Sequence, residues 1–284
     1  MSTVNIKKKK KRVCTTKDYL GSNEKFEIVW SKYKGIAKTH PKPLKNNLKG
    51  YYNSENYISH NPKAIGFISL IYLAIRSLMN RNKLKMIKPF LSKNDKVLDF
   101  GSGSGSFLYK LNFKYESYGV EPNDFARSTS LAKGLRVVSA MKEYKEKFKM
   151  IFLWHSLEHV YDINKTINEF SQKINSKSIL VIALPNIRSF DAKKYKSFWA
   201  GYDVPRHLWH FTEEGIIDFL EKKKFKFIKK RPLFWDAIYI SYLSEKYRKS
   251  KFSLIKGAFW GIISNLTAIK TGEFSSKVYF FRKS

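Results

Sequence analysis

The sequence predicts an α/β protein built on a parallel sheet with helices on both faces. Three observations carry this prediction. Apolar runs of strand length recur at Val97–Phe100, Tyr118–Glu121, Leu135–Val138, Met150–Trp154 and Ser178–Leu184, the pattern of buried parallel strands. Segments with helical spacing stand between several of them, which places helices on both faces of the sheet. The first run empties into a loop with Gly101, Gly103 and Gly105 at every second position, and glycine lets a backbone turn sharply and a ligand approach closely.

The elements follow in order. Met1–Arg12 is expected to be a disordered basic tail, and 13–62 an N-terminal module. Within that module Val13–Tyr52 reads as irregular, with Phe26–Trp30 as a strand and Pro41 and Pro43 in an extended link. The main domain is expected over 63–284. It opens on a helix at Ala64–Pro89 with a break near Asn80–Asn82. Strand Val97–Phe100 leads to a helix over Ser104–Asn112, and Tyr118–Glu121 to a helix over Asp124–Lys133 that Asn123 caps. The segment Asp162–Ile174 carries Ile163, Ile167, Phe170 and Ile174 on one helical face. Pro185 and Asn186 stop the strand Ser178–Leu184. Thr212 caps a helix with Glu213 and Glu214 in its first turn, a favourable placement for the helix dipole. Phe225–Lys230 and Lys277–Arg282 are the last strands, and between them 236–270 reads as a two-helix insertion, Asp236–Arg248 and Leu254–Ile269.

A chain of 284 residues can bury a full core. No run reaches the ~18 uncharged apolar residues of a membrane span; Ala64–Met79 comes nearest and Arg76 interrupts it. Met1–Arg12 lacks the apolar region of a secretory signal, and the single cysteine, Cys14, excludes an intrachain disulfide framework and any cysteine-only metal site. A cytoplasmic location is expected. The net charge of +32 fits nucleic acid or an anionic surface, yet the excess is dispersed lysine rather than arginine, as base composition in an AT-rich genome produces. Lys7–Arg12 is the one dense run and reads as a solvated tail.

Glu121 closes the second strand, where an acid accepts hydrogen bonds from both hydroxyls of a ribose. Two nucleoside-binding patterns share this layout. The dinucleotide fingerprint has a third glycine close to the helix, where this chain has Ser106. Asp99, two residues before the first glycine, fits the other pattern. D-x-G-x-G-x-G with a later acid resembles motif I and its partner acid in class I methyltransferases that use S-adenosylmethionine. The resemblance covers most of the chain and is strongest at Val97–Glu121, Trp154–Val160 and Tyr202–Thr212. It implies a Rossmann-like seven-stranded methyltransferase sheet completed by an antiparallel strand, with an N-terminal extension and a helical insertion before the last strand. It also implies S-adenosylmethionine as cofactor, held by Asp99, Gly101, Ser102, Gly103, Gly105, Glu121, Pro122, Ala140, Trp154 and His155. At the adenine position the family often has an aspartate; Ser139 and Ala140 stand there, which leaves that contact to backbone groups.

The segment Trp154–Val160, WHSLEHV, resembles the LEH segment beside the cofactor sulfonium in many small-molecule methyltransferases, including those of ubiquinone synthesis. His159 is the candidate base for a hydroxyl or an acidic carbon, with His155 and His207 as further candidates; the alternative is that His155 and Glu158 only hold the loop. Gly201–Thr212, GYDVPRHLWHFT, resembles the substrate-side loop of the same enzymes, which makes Tyr202, Arg206, His207 and His210 candidate substrate contacts. Asp203, His207 and His210 are ligand types for a metal, but methyl transfer needs none and none is expected. Cys14, Lys17-Asp18-Tyr19, Gly35, Pro41–Pro43 and Tyr51–His60 resemble a front module of a bacterial methyltransferase family, found also in sugar C-methyltransferases, whose members often carry a zinc-binding cysteine pair just before that glycine. Trp30 and Tyr33 stand at the pair positions, so no structural zinc is expected, while Tyr51, Tyr52 and Tyr57 are placed to close over cofactor or substrate.

The expected activity is methylation of a small hydroxyl or carbon nucleophile, a sugar or quinone-like precursor. Two rivals remain. An RNA or DNA methyltransferase would use the charge, although base-N enzymes often carry N/D-P-P-Y/F where this chain has WHSLEH. A non-catalytic interaction protein would keep the fold, with membrane association through Leu254–Ile269.

Overall fold

The computed structural model describes residues 11–52 and 67–284, the side chains of 67–76 excepted. Most of Met1–Arg12, Tyr57 and the start of the helix expected at Ala64–Pro89 lie outside the described residues. In chain order the strands are β1 (Arg12–Lys17), β2 (Lys25–Trp30), β3 (Ile36–His40), β4 (Lys96–Phe100), β5 (Glu116–Val120), β6 (Val137–Val138), β7 (Phe148–Trp154), β8 (Ile174–Pro185), β9 (Trp209–Phe211), β10 (Phe225–Pro232) and β11 (Ser276–Lys283). The helices are α1 (Leu48–Tyr52), α2 (Phe67–Ile87), α3 (Ser106–Leu111), α4 (Asp124–Leu131), α5 (Ile163–Lys173), α6 (Phe190–Tyr195), α7 (Glu213–Glu221), α8 (Phe234–Tyr247) and α9 (Ser253–Thr271).

The described residues fall into two compact units. One takes 52, 67–184, 220–233 and 276–284; the other takes 11–51, 185–219 and 234–275. The first contains a seven-stranded sheet in the order β10-β11-β8-β7-β4-β5-β6. β4 runs parallel to β5 and β7, β5 to β6 and β7 to β8, while β11 is antiparallel to β10, the closing strand expected from the resemblance. β4, β7 and β8 are buried on both faces, with Val97, Met150, Phe152, Val181 and Phe280 in one core, which is why their sequences read as apolar runs rather than alternations. Helix ends follow the local chemistry. Asn123 accepts the Ala126 N–H at 3.0 Å at the start of α4, and Asp162 accepts the Asn164 and Lys165 N–H groups at the start of α5. Thr212 accepts the Gly215 N–H at 3.1 Å at the start of α7.

The second unit corrects the reading of Val13–Tyr52 as irregular. β1, β2 and β3 form an antiparallel meander, and β3 adds β9 as a fourth strand. Gly35, at φ +69°, makes the close approach to α7: a Cβ there would stand 2.7 Å from Thr212 Oγ1 and 2.8 Å from Gly215 Cα. Phe26, Ile28, Ala37, Tyr195, Trp199 and Tyr202 share the core of this unit. The buried Asp191 carboxylate ties its distant segments together, accepting Trp199 Nε1–H at 2.7 Å, Ser264 Oγ–H at 2.8 Å and Ser275 Oγ–H at 2.7 Å. The break expected near Asn80–Asn82 is also corrected. α2 runs through it, because Asn80 is buried and donates to Ser106 Oγ at 3.0 Å.

Candidate active site

After β4 the chain moves outward to β5 and β6, then returns to the other side of β4 as β7. Such a switch opens a crevice at the carboxyl ends of the strands, and both motif loops lie at those ends. In the first loop Gly101, Gly103 and Gly105 have φ of +75°, +54° and +76°, a region that penalises any Cβ. Space compounds the restriction at two of them. A Cβ on Gly101 would stand 2.5 Å from Ser156 Oγ, and one on Gly105 would stand 2.5 Å from Leu135 Cδ1. Around Gly103 a Cβ would meet nothing within 4 Å, so the loop is open there. The Gly101 contact brings the glycine loop against the loop that follows β7.

Glu121 is fixed by two backbone donors, Gly103 N–H to Oε2 and Asn123 N–H to Oε1, each at 2.8 Å. A carboxylate offers about four acceptor sites, so capacity remains for hydroxyl donors. Burial pushes its carboxyl up, while those two donors and Arg127 act in the opposite sense. Asp99 is buried and raised to about 7, first by desolvation and then by the charge of Glu121, with Lys83 opposing. Lys83, from α2, lies 4.6 Å from the ring centre of Trp154 and 5.4 Å from that of Phe107, a favourable cation–π placement. The buried Oγ of Ser102 and Nε1 of Trp154 have no hydrogen-bond partner among the described residues. Pro122 accepts Arg127 Nη1–H at 3.3 Å through its carbonyl. The Ala140 N–H donates to Glu143 Oε1 at 2.8 Å, so that backbone donor is already engaged.

The loop after β7 turns through His155 at φ +53°. Non-glycine residues in this region cluster at functional sites. Its N–H donates to Ala183 O at 3.2 Å, and its Nδ1 lies 3.4 Å from Oε1 of the buried Glu158. A short 3-10 turn, Leu157–His159, follows. His159 Nδ1 is 3.0 Å from the hydroxyl of Tyr52. The sequence marked Tyr52 only as one of several tyrosines, Asn80 only as a helix break, and Lys83 not at all. Asn80 and Lys83 stand among other polar residues of α2, Arg76, Ser77, Arg81, Asn82 and Lys85, so no local pattern singles them out.

Tyr202, Arg206, His207 and His210 belong to the second unit. Arg206 is fully buried. It donates to Asp203 Oδ1 and Asp18 Oδ1 at 2.8 Å each and to the Tyr51 carbonyl at 3.1 Å. Asp18 also accepts the Leu20, Gly21 and Ser22 N–H groups; against the desolvation of burial, Arg206 and backbone donors hold it below its usual value. His207 Nδ1 lies 3.0 Å from the Gly201 carbonyl, which can only accept, so Nδ1 carries the proton. His210 is buried with a ring nitrogen 2.9 Å from Thr39 Oγ1. Desolvation, then the charge of His207, push its pKa well down, leaving it neutral. Tyr202 is buried against Trp199 and hydrogen-bonded to Cys14; burial raises both Tyr202 and Cys14.

Comparison with known proteins agrees with this geometry. A family model described as methyltransferase domain matches residues 72–230, more than half of the chain. No curated protein matches the sequence. Among solved structures, the magnesium protoporphyrin IX methyltransferase of Synechocystis, with S-adenosylhomocysteine bound, superposes with a TM-score of 0.53 at 11% identity, covering 85% of this chain and 100% of that one. An S-adenosylmethionine-dependent methyltransferase of Thermotoga maritima gives 0.51 at 17% identity, over 75% and 93% of the two chains. The cyclopropane synthase MmaA2 of Mycobacterium tuberculosis gives 0.50 at 12% identity, over 71% and 83%. The glycine loop, the acid closing β5 and the matched family model agree: this chain belongs to the methyltransferase-domain family and is a class I, S-adenosylmethionine-dependent methyltransferase.

Proposed function

We propose that the protein methylates a hydroxyl or carbon nucleophile of a small molecule, a sugar or quinone-like precursor, with His159 as the base. The contact between Tyr52 and His159 carries this reading. A catalytic imidazole needs a second group to fix its tautomer. When His159 Nδ1–H donates to the Tyr52 oxygen, Nε2 is the basic atom. The opposite tautomer would place the proton on Nε2 and leave no base there. The solved structures that share the fold bear names of small-molecule enzymes, which supports the substrate class.

The residues at the strand ends fit the cofactor. The opening at Gly103, the remaining acceptor sites of Glu121, and the Ser102 Oγ and Trp154 Nε1 that have no partner among the described residues suit a nucleoside with a polar amino-acid arm. We assign the ribose hydroxyls to Glu121 and the amino-acid arm to 101–105 and Asp99. S-adenosylmethionine supplies an electrophilic methyl on a sulfonium. The protein holds the acceptor in line with that methyl, which contributes most of the rate, while His159 takes the proton of the attacking hydroxyl or carbon. His155, with Glu158, holds the loop that presents His159.

Calorimetry with S-adenosylmethionine and with NAD tests the site. Binding of the first and not the second is expected, and Glu121→Ala should weaken it by at least about tenfold, the loss of one charged hydrogen-bonding group. Absence of S-adenosylmethionine binding would sink the assignment. With a substrate in hand, His159→Ala should keep cofactor affinity and lose roughly 10²–10⁴ in turnover, with Tyr52→Phe intermediate. Unchanged turnover in His159→Ala would remove it from the chemistry.

A further inference from the structure

The hairpin of α8 and α9 is built inside out. An ordinary surface helix turns its large apolar side chains to the core and its polar ones to water. α9 does the reverse. Its buried residues are small: Gly257, Gly261, Ser264 and Ala268. On the opposite side Ile255, Phe259, Ile262, Leu266 and Ile269, spaced four and three apart, are between 51% and 70% exposed. α8 shows the pattern in part: it buries Asp236, Ser241, Ser244 and Glu245 beside Ala237 and Ile240, and it exposes Phe234, Trp235 and Tyr239. Ten of the seventeen large apolar side chains that stand exposed among the described residues fall between 234 and 269.

This sorting by size has a structural cause. The two helices approach so closely that a Cβ on Gly261 would stand 2.5 Å from Ile238 Cα, and one on Gly257 would stand 2.4 Å from Tyr242 Cα. Small residues at such a seam are how helices pack when burial of large apolar side chains does not drive the contact, as in lipid. Two buried serines of the hairpin find partners in the surrounding unit. Ser244 Oγ accepts the Ala200 N–H at 2.9 Å, and Ser264 donates to Asp191 at 2.8 Å. The large apolar side chains on the outward face of α9 therefore have no place in the hairpin's own packing.

We propose that the outward face of α9, with the aromatic start of α8, docks on the surface of an anionic lipid bilayer. Charge selects this occupant over a second copy of the chain. α9 contains no acidic residue, Lys256 and Lys270 are exposed on it, and Lys246, Arg248, Lys249 and Lys251 are exposed around its start. A second copy would bring the same cations together on a chain of net charge +32, whereas anionic headgroups neutralise them. No described helix is long and apolar enough to cross a membrane, so the helix lies in the interface with its apolar side chains in the headgroup and acyl boundary.

Co-sedimentation of the full chain with vesicles of phosphatidylcholine, alone and mixed with phosphatidylglycerol, tests this. Binding to the mixed vesicles is expected, reduced but not abolished by high salt. The charge-preserving double substitution Phe259→Ser and Ile262→Ser should weaken it by about tenfold or more, with S-adenosylmethionine affinity unchanged by calorimetry. Equal binding by the double variant would mean that charge alone holds the protein and would overturn the proposal. So would no binding to mixed vesicles, or a dimer in sedimentation velocity that the double substitution dissolves while vesicles are ignored.

Discussion

Burial at the end of β4 raises the Asp99 carboxyl to about 7 against an ordinary 3.8, so the folded chain holds this proton more tightly than the unfolded one. Stability therefore falls with rising pH across that interval. The contribution is complete below the unfolded value, declines as pH rises toward 7, and is gone above it. Asp99→Asn should remove this component, so the difference in Tm between variant and parent should grow in the variant's favour from pH 5 to pH 8. Lys83 opposes the shift with its charge, so Lys83→Met should move the midpoint of the decline upward. Identical pH profiles in parent and Asp99→Asn would show that the carboxyl stays ionised throughout. Asp99 itself was legible from its spacing to the glycines. Its countercharge was not, because Lys83 comes from a helix that precedes the motif and nothing in the local pattern points across. Arg206 shows a similar limit. An arginine in a loop rich in aromatic and histidine residues reads as a hand for an anionic substrate, yet its guanidinium lies buried between Asp18 and Asp203, and Asp18 is far away in sequence.

The elements that the sequence made legible are those whose signal is local. β4, β7 and β8 are apolar runs, α5 has a clean helical period, and Asn123 and Thr212 cap the helices they precede. β1 and β3 were missed because RVCTTK and IAKTH are short, half polar and stabilised only by pairing. β9 was missed because its three residues become a strand only beside β3. The α8–α9 hairpin was legible as two helices, but only the packing shows the small residues of α9 turned inward. That seam gives a prediction in which two effects compete. Gly to Ala in a helix interior ordinarily gains about 1 kcal/mol. At Gly261 the new methyl would lie 2.5 Å from Ile238 Cα and 2.9 Å from the Ala237 carbonyl carbon, atoms of a backbone that cannot swing aside, and overpacking of this kind costs about 1–3 kcal/mol. The clash should win. Gly261→Ala should lower the urea midpoint, whereas Ala substitution at the exposed Lys270 should leave it nearly unchanged. A stabilised Gly261→Ala would mean that the helices are not in close contact.

At the scale of the whole molecule the dominant fact is charge. Lys and Arg number 55 against 23 Asp and Glu, so even with every carboxylate paired, most cations have no opposite charge to meet. The surface pairs that do form are exposed, such as Arg12 with Glu27 at 3.1 Å and Arg188 with Glu214 at 2.7 Å, and such pairs contribute about 0–1 kcal/mol each. Repulsion among the surplus acts over longer distances, and compaction strengthens it. Salt screens both, with a Debye length of about 10 Å at 0.1 M falling to about 3 Å at 1 M. It therefore removes a small attraction and a larger repulsion. Stability should rise with sodium chloride at neutral pH, with a Tm several degrees higher at about 0.5 M than at about 0.05 M. The gain should be larger at pH 5, where protonation of carboxyls that burial raises, Asp99 first, adds to the net charge. Thermal unfolding monitored by circular dichroism at both salt concentrations and both pH values measures this directly. A Tm that falls with salt would mean that the few surface ion pairs outweigh the repulsion of the surplus, and that the lysines are arranged rather than merely abundant.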